Sequence, residues 1–449
     1  SRFGDDDPAW RLMDSGELLH LTADGQIRNC LFARDESDLR LAMRAGATDA
    51  ELAEVLVALV ARMPVYRADY RSLSRVTSAV IAQLAKSPRG CNRAALDLVA
   101  SALAAHGEAA HRFAQVCGAV MAKGVEDTLF YRACRLVALQ EVGGAPGRFG
   151  VSQAEFHLLQ DERAQLWQHT MTTLTTHDTK RSEDTRARML EIAEMPEEFA
   201  QLVHDVFALT PPPDHATGLF LIHNVLGAWP RDGRATEDFT RRLQSYAVKA
   251  VREADVLSSW NDSDAAYETE ITEWIGHLTH GPATRILADF AVHLDRGGVA
   301  VSLGRKLLQL VGPGIPDTYQ GTEFLDFSLV DPDNRRFVDY GALKDGVGSP
   351  EDVAKQRIVR EALTLRREQP ELFLGGGYQA VFAEGAARSH LVGMARTLAG
   401  APRALALATR APIGLQQSGG WRGTTVTLPE GTWTDRLTGR RFAGRVEVD

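Results

Sequence analysis

The chain has 449 residues, enough for two or three domains, and its 44% hydrophobic and 24% charged residues are the balance of a soluble globular protein. That balance excludes collagen-like and mainly disordered chains, and four cysteines are too few for a disulfide-dense mini-protein. A net charge of −9 speaks against a duplex nucleic-acid binder, and the lack of any run of about 18 apolar residues speaks against a membrane span.

The opening SRFGDDDPAW is acidic, with no apolar signal-peptide core and no initiator Met, and it reads as the interior of a longer reading frame. Residues 1–30 have weak periodicity and no assignable element. From about 35 to 115 the pattern is helical. ATDAELAEVLVALVARM sets Leu52, Val55, Leu56, Leu59 and Val60 on one stripe, with Thr48 or Asp49 as cap and Pro64 as stop. RAALDLVASALAAHGEAAHRFAQV is a helix or a pair of helices. MTTLTTHDTKRSED then predicts a β-branched strand over Thr172 to Thr176, a polar turn, and a helix capped by Ser182. Strand, polar turn and helix make one βα unit of an α/β barrel or doubly wound sheet.

Residues 236–280 are helical, with Leu243, Tyr246, Ala250 and Val251 on one face. GVAVSLGRKLLQLV predicts a helix over 298–311, followed by a short strand in GPGIPDTYQG. LVDPDNRRFVDYGAL is a loop with Pro332 and Asn334 as turn residues, and Ser349 with Pro350 opens the next helix. From 376 the segments HLVGMART, ALALATR, GTTVTL, GTWTDRL and RVEVD predict a terminal antiparallel β-sandwich. The expected domains are 1–165, mainly helical; 166–375, the barrel part; and 376–449, the β domain.

Metal and redox chemistry find little support. Cys30, Cys91, Cys117 and Cys134 form no CxxC pair and have no His at zinc spacing, so they read as free buried thiols of a reducing cytoplasm. His277 and His280 have no third ligand nearby and read as helix surface. No motif for a nucleotide, metal or redox cofactor occurs.

Candidate chemistry gathers in three places. Thr176-His177-Asp178-Thr179-Lys180 stands where a strand runs out, which is where barrel enzymes carry their catalytic groups. Asp178 can accept from two hydroxyls of a polyol, and His177 can donate or accept. Glu183 and Asp184, just beyond, read more simply as carboxylates at a helix N-terminus. In AKGVEDTLFYR, Lys123, Glu126 and Asp127 interleave with aromatics in a way that suits sugar, but a solvated helix start explains them equally well. Tyr319 and Gln320, with Glu323, either line the same face as His177 and Asp178 or brace the turn.

Taken together, THDTKRSED, AKGVEDTLFYR, EVGGAPGRFG, KAVREADVLSSW and GIPDTYQGTEFLDFSLVDPDNRR resemble the maltooligosyltrehalose synthases, a family within the α-amylase superfamily (glycoside hydrolase family 13). The likeness runs from about Pro64 to the C-terminus and is poor over residues 1–60. The resemblance implies an interrupted (β/α)8 barrel with helical insertions and a C-terminal antiparallel β domain. It implies isomerisation of the reducing-end α-1,4 linkage of a maltooligosaccharide into an α,α-1,1 linkage in trehalose biosynthesis, without a cofactor and in the cytoplasm. Such chemistry is retaining and uses a nucleophilic carboxylate and an acid/base Glu about 5 Å apart, with water kept out.

By this resemblance Asp178 is the third carboxylate, at the end of the seventh strand, assisted by His177. Lys123, Glu126 and Asp127, in a motif the family shares, are carried over as contacts of the reducing-end glucose, and Lys180, Tyr319 and Gln320 stand beside them as candidate substrate contacts. The nucleophile segment and the acid are missing. Arg34-Asp35 and Asp214-His215 lack a preceding apolar strand, and Glu141 sits inside EVGG. The chain is therefore expected to be a C-terminal portion, inactive alone, whose partners are the oligosaccharide and the N-terminal portion of the same enzyme. Two other readings stay open: a hydrolase of the same superfamily, and a non-catalytic sugar-binding fragment.

Overall fold

The computed structural model describes residues 47–67, 69, 73–87 and 92–448, and before them the backbone of three short antiparallel strands, His20–Leu21 (β1), Gln26–Arg28 (β2) and Ser37–Asp38 (β3). Cys30, Arg34, Asp35 and Cys91 lie outside the described residues. The chain falls into two compact units, Ser1–Leu129 and Phe130–Asp449.

The first unit is helical where described. Helix α1 (Asp49–Val60) starts in a capping box: the Thr48 hydroxyl accepts the Glu51 N–H, and the Glu51 carboxylate accepts the Thr48 N–H. Leu52, Val55, Leu56 and Leu59 are buried as their spacing requires, with Val60 half-buried. After α2 (Ser74–Ala85), the long Ala/Leu-rich segment divides into α3 (Arg93–Ala104) and α4 (Glu108–Val120), because His106 takes a left-handed φ of 51° before Gly107. Met63, Val80, Leu84, Leu96, Phe113 and Cys117 join α1 in one apolar core. Burial in that core pushes the free Cys117 thiol up to about 12. Where the sequence suggested a helix start near Lys123, α4 instead continues into a π-helical run, Met121–Leu129.

In the second unit the helices are α5 (Gln153–Leu166), α6 (Glu183–Leu190), α7 (Pro196–Leu209), α8 (His215–Ala228), α9 (Glu237–Ala254), α10 (Ala265–His280) and α11 (Thr284–Val311), followed by α12 (Tyr340–Asp345), α13 (Pro350–Glu368) and α14 (Pro370–Leu374). Helix α8 is buried from Phe220 to Ala228, where only His223 and Asn224 are polar, so it forms the centre of the main core. The predicted face of α9 is buried there: Leu243, Tyr246, Ala250 and Val251. Asp214 is the N-cap of α8, accepting from the amides of Ala216 and Thr217, which explains why no strand precedes it. His277 and His280 are exposed at the end of α10. No helix among the described residues is long and apolar enough to cross a membrane.

Helix α11 crosses α6 closely. A Cβ added at Gly298 would stand 2.8 Å from the Arg188 Cα, a contact with backbone that cannot swing aside. Gly298→Ala is expected to lower stability by about 1–3 kcal/mol, read as a lower urea midpoint at unchanged slope. Gly276→Ala in α10, where a Cβ would meet Gln244 Nε2 at an ordinary 3.7 Å, should cost nothing.

A parallel pair of two-residue strands, β4 (Met171–Thr172) and β5 (Ile315–Pro316), lies between helical segments. At the C-terminus, β6 (Gly377–Val381), β8 (Leu391–Leu398) and β9 (Ala401–Thr409) form one antiparallel sheet. A second consists of β7 (Ala383–Glu384), β10 (Thr425–Thr434) and β11 (Arg441–Glu447). The segments GTTVTL and GTWTDRL, separate in the sequence reading, are one strand with a register shift between Thr427 and Thr432. A short helix, α15 (Pro412–Gln417), comes between β9 and β10. Val381, Leu391 and Ala395 from one sheet share an apolar cluster with Ala383 and Val426 from the other.

Candidate functional site

The predicted strand over Thr172 to Thr176 is shorter than expected. Only Met171 and Thr172 pair, in parallel, with Ile315 and Pro316. The threonines that follow spend their hydroxyls on local partners: Thr173 Oγ1 donates to the Thr175 carbonyl at 2.6 Å, and Thr175 Oγ1 donates to Glu183 at 2.9 Å. Such local bonds compete with a ladder and bend the chain out of it. Gln309 Nε2 donates to the carbonyls of Thr172 at 2.9 Å and Asp317 at 2.8 Å, tying the two strand ends together. Because β4 and β5 are parallel, the turns beyond both open on the same edge. One turn carries His177 and Asp178; the other carries Tyr319, half-buried, and Gln320, exposed.

The His177–Asp178 turn is held from several sides. Thr176 Oγ1 accepts the amides of Asp178 at 3.2 Å and Thr179 at 3.0 Å, and Thr179 Oγ1 donates back to the Thr176 carbonyl at 3.0 Å. Asn334 Nδ2 donates to the His177 carbonyl at 2.7 Å. The segment before Asn334 runs antiparallel to the turn's far side, with the Val330 amide donating to the Lys180 carbonyl at 3.1 Å and the Ser182 amide to the Ser328 carbonyl at 2.9 Å. Asp331 and Asp333 fix that loop to Lys249 and Arg242 of α9. Two stretches read separately in the sequence, KAVREADVLSSW and DPDNRR, therefore meet to support the same turn.

At the tip, His177 and Asp178 are exposed, and the Asp178 side chain keeps 55% of its surface. Lys180 is buried, with its Nζ 3.9 Å from Asp178 Oδ1. A carboxylate that open can accept hydroxyls from a ligand. Beside β4 lies a cleft of about 720 Å³ whose lining includes Gln160, Arg163, Trp167, Thr172, Arg305 and Gln309; His177 and Asp178 stand outside it.

Glu183 and Asp184 stand in the first turn of α6, as the sequence reading has them, but they do more than face the helix N-terminus. Both are buried, and both are salt-bridged from other helices. Lys306 Nζ of α11 lies 2.8 Å from Glu183 Oε1, and Lys355 Nζ of α13 lies 2.9 Å from that oxygen and 2.7 Å from Asp184 Oδ2. Burial alone would raise the Glu183 carboxyl, but the two ammonium groups hold it at about 2. The cluster pins the start of α6, and with it the far end of the candidate turn. Ser182 caps α6 as predicted, accepting the Thr185 amide.

Lys123, Glu126 and Asp127 belong to the first unit. Lys123 Nζ pairs with Asp127 at 2.6 Å, and Glu126, only 3% exposed, accepts from the Tyr66 hydroxyl. Sequence reasoning missed Asn334 and gave Glu141 little weight. Glu141 Oε1 accepts the Lys180 amide at 2.7 Å and Oε2 the Arg181 amide at 3.3 Å, while Arg186 lies 3.0 Å from Oε2. The signal was an acid before a Gly-Gly turn: Gly143 has a φ of 71°, and a Cβ at Gly144 would meet the Glu141 carbonyl at 2.7 Å.

No family model matches the chain. Over 404 residues it is 43% identical to a putative maltooligosyl trehalose synthase of Mycobacterium tuberculosis, a match covering 90% of this chain and 52% of that protein. Among solved structures, the maltooligosyltrehalose synthase of Arthrobacter ramosus superposes with a TM-score of 0.78 at 41% identity, over 91% of this chain and 54% of that one. The chain is homologous to the maltooligosyltrehalose synthases. A hypothetical maltooligosyl trehalose synthase of Sulfolobus tokodaii gives a TM-score of 0.69 at 25% identity, again over 91% of this chain and 54% of that one. The chain thus spans about half the length of the maltooligosyltrehalose synthases it matches and corresponds to a C-terminal portion of them. A separate match of 29 residues, 76% identical, to a GTP 3',8-cyclase of Mycobacterium sp. (strain KMS) covers 6% of this chain and carries no argument.

Proposed function

We propose that the chain supplies the C-terminal part of a trehalose-forming isomerase. It would turn the reducing-end α-1,4 linkage of a maltooligosaccharide into an α,α-1,1 linkage on an α-amylase-type barrel. The observation that carries this reading is a parallel pair, β4 and β5, followed at once by a braced turn presenting an open aspartate, in a chain homologous to these synthases. In this reading β4 is the seventh barrel strand. Asp178 grips the hydroxyls of the distorted sugar and steadies the oxocarbenium-like transition state, with His177 beside it. Tyr319 and Gln320 line the same rim, with Lys180 buried behind Asp178, while Lys123, paired with Asp127, keeps a sugar-binding role in its own unit and the buried Glu126 braces that segment through Tyr66.

The nucleophile and the acid/base come from the N-terminal portion of the enzyme. Glu141 does not fill the acid's place, because both its oxygens are taken up as acceptors within the fold. The chain by itself is therefore inactive.

The test is an assay with maltopentaose, using the chain alone and the chain combined with the N-terminal half of the Arthrobacter ramosus enzyme. We expect no turnover from the chain alone. The combination should make reducing ends disappear without release of glucose. A rise in reducing ends would favour the hydrolase reading, and turnover by the chain alone would contradict the division of the catalytic groups.

A further inference from the structure

We propose that Glu141 is a positioning residue, which sets where Asp178 and His177 stand without touching the sugar. The inference rests on the function proposed above but uses different observations. Glu141 lies on the segment between the short helical stretch Phe130–Arg132 and α5, far along the chain from the 177–181 turn, yet its carboxylate reaches the backbone of that turn. Each oxygen has two partners. Oε1 accepts the amides of Val142 at 2.9 Å and Lys180 at 2.7 Å; Oε2 accepts the Arg181 amide at 3.3 Å and pairs with Arg186 Nη1 at 3.0 Å. Two successive amides of the turn thus end on one carboxylate.

Ser182, the residue after those amides, caps α6, and the exposed His177 and Asp178 precede them by one buried residue, Thr179. The side chain of Arg181 fastens to the same segment, donating from Nη1 to the Gln140 carbonyl at 2.7 Å and from Nε to Asn224 Oδ1 at 2.8 Å. Gln140–Glu141 is therefore a clasp across the base of the turn, opposite Asn334, which holds the His177 carbonyl. A buried carboxylate is well suited to the task. Charge-assisted bonds to backbone amides are about twice as strong as neutral ones and have fixed directions. Glu141 is 8% exposed, so water does not readily replace it. Without it, two buried amides and Arg186 lose their acceptor, and the tip carrying Asp178 loses its anchor on one side. A shift of about 1 Å in a catalytic group costs on the order of 10²-fold in rate.

Two variants and two readouts test this. In the full chain, hydrogen exchange across 176–182 reports whether the clasp holds. In the chain combined with the N-terminal half, kcat and KM for maltopentaose report its effect on chemistry. Glu141→Ala should raise exchange at the Lys180 and Arg181 amides at least tenfold while leaving peptides within α13 unchanged. It should lower kcat at least tenfold with KM within threefold. Glu141→Gln keeps one acceptor oxygen at the same reach and should fall between Glu141→Ala and the parent chain on both readouts. If Glu141→Ala does not fold, the isosteric Glu141→Gln decides by the same comparison. Unchanged exchange, or increased exchange with unchanged kcat, overturns the proposal. A combined parent enzyme without turnover would overturn the proposed function instead, and the exchange data would still decide whether Glu141 holds the turn.

Discussion

Lys355→Met is expected to lower the stability of the chain by about 3–5 kcal/mol, the usual cost of removing one partner from a buried ion cluster. Lys355 is fully buried, and its ammonium lies 2.9 Å from Glu183 and 2.7 Å from Asp184. Lys306 remains 2.8 Å from Glu183, so the loss falls mainly on Asp184, whose carboxyl burial already pushes up and which would lose the ammonium that holds it charged. Urea unfolding followed by circular dichroism reads the effect as a lower midpoint. The double change Asp184→Asn, Lys355→Met, which leaves the Glu183–Lys306 pair in place, should recover most of it, because the penalty comes from the unpaired charge more than from lost attraction. A loss below about 1 kcal/mol for the single change would mean that the cluster is not the brace of α6 described above.

The same cluster marks the boundary of what the sequence could reveal. Features set by neighbours along the chain were legible: the caps Thr48, Ser182 and Ser349, the buried stripe of α1, and the face of α9. Each depends on a periodicity or a three-residue offset. The parallel pairing of the Thr-rich segment with GPGIPDTYQG was left open by the sequence, but that a strand starts there was legible, because a strand running into a polar turn announces a βα edge. The length of that strand was not. Thr173 and Thr175 have high strand propensity, but their hydroxyls found local acceptors that propensity ignores.

The helix-start reading of Glu183 and Asp184 followed an equally local rule and is right as far as it goes, but it could not show the partner Lys355, which lies 171 residues from Asp184. Glu141 acts across 39 residues to Lys180. No spacing rule connects such positions. Only the fold shows that an acid in one motif supports the backbone of another. The π-helical run at Met121–Leu129 was hidden for a related reason: its composition is that of any polar helix, and its widened turn shows itself in backbone geometry alone.

The account rests most heavily on Asp178, and its replacement by Asn is the most direct test. The side chain is 55% exposed and its nearest cation, Lys180, stands 3.9 Å away, so Asp178→Asn should leave the melting temperature of the chain unchanged. In the enzyme completed by an N-terminal half, the same change removes a negative charge facing a developing oxocarbenium ion. The loss of such a transition-state contact costs on the order of 10²–10³ in rate. The measurement is kcat/KM for maltopentaose, taken on Asp178→Asn and on the parent enzyme side by side. A fall of at least about a hundredfold, with an unchanged melting curve, is the predicted result. A value within threefold of the parent would contradict the assignment of Asp178 as the sugar-gripping carboxylate.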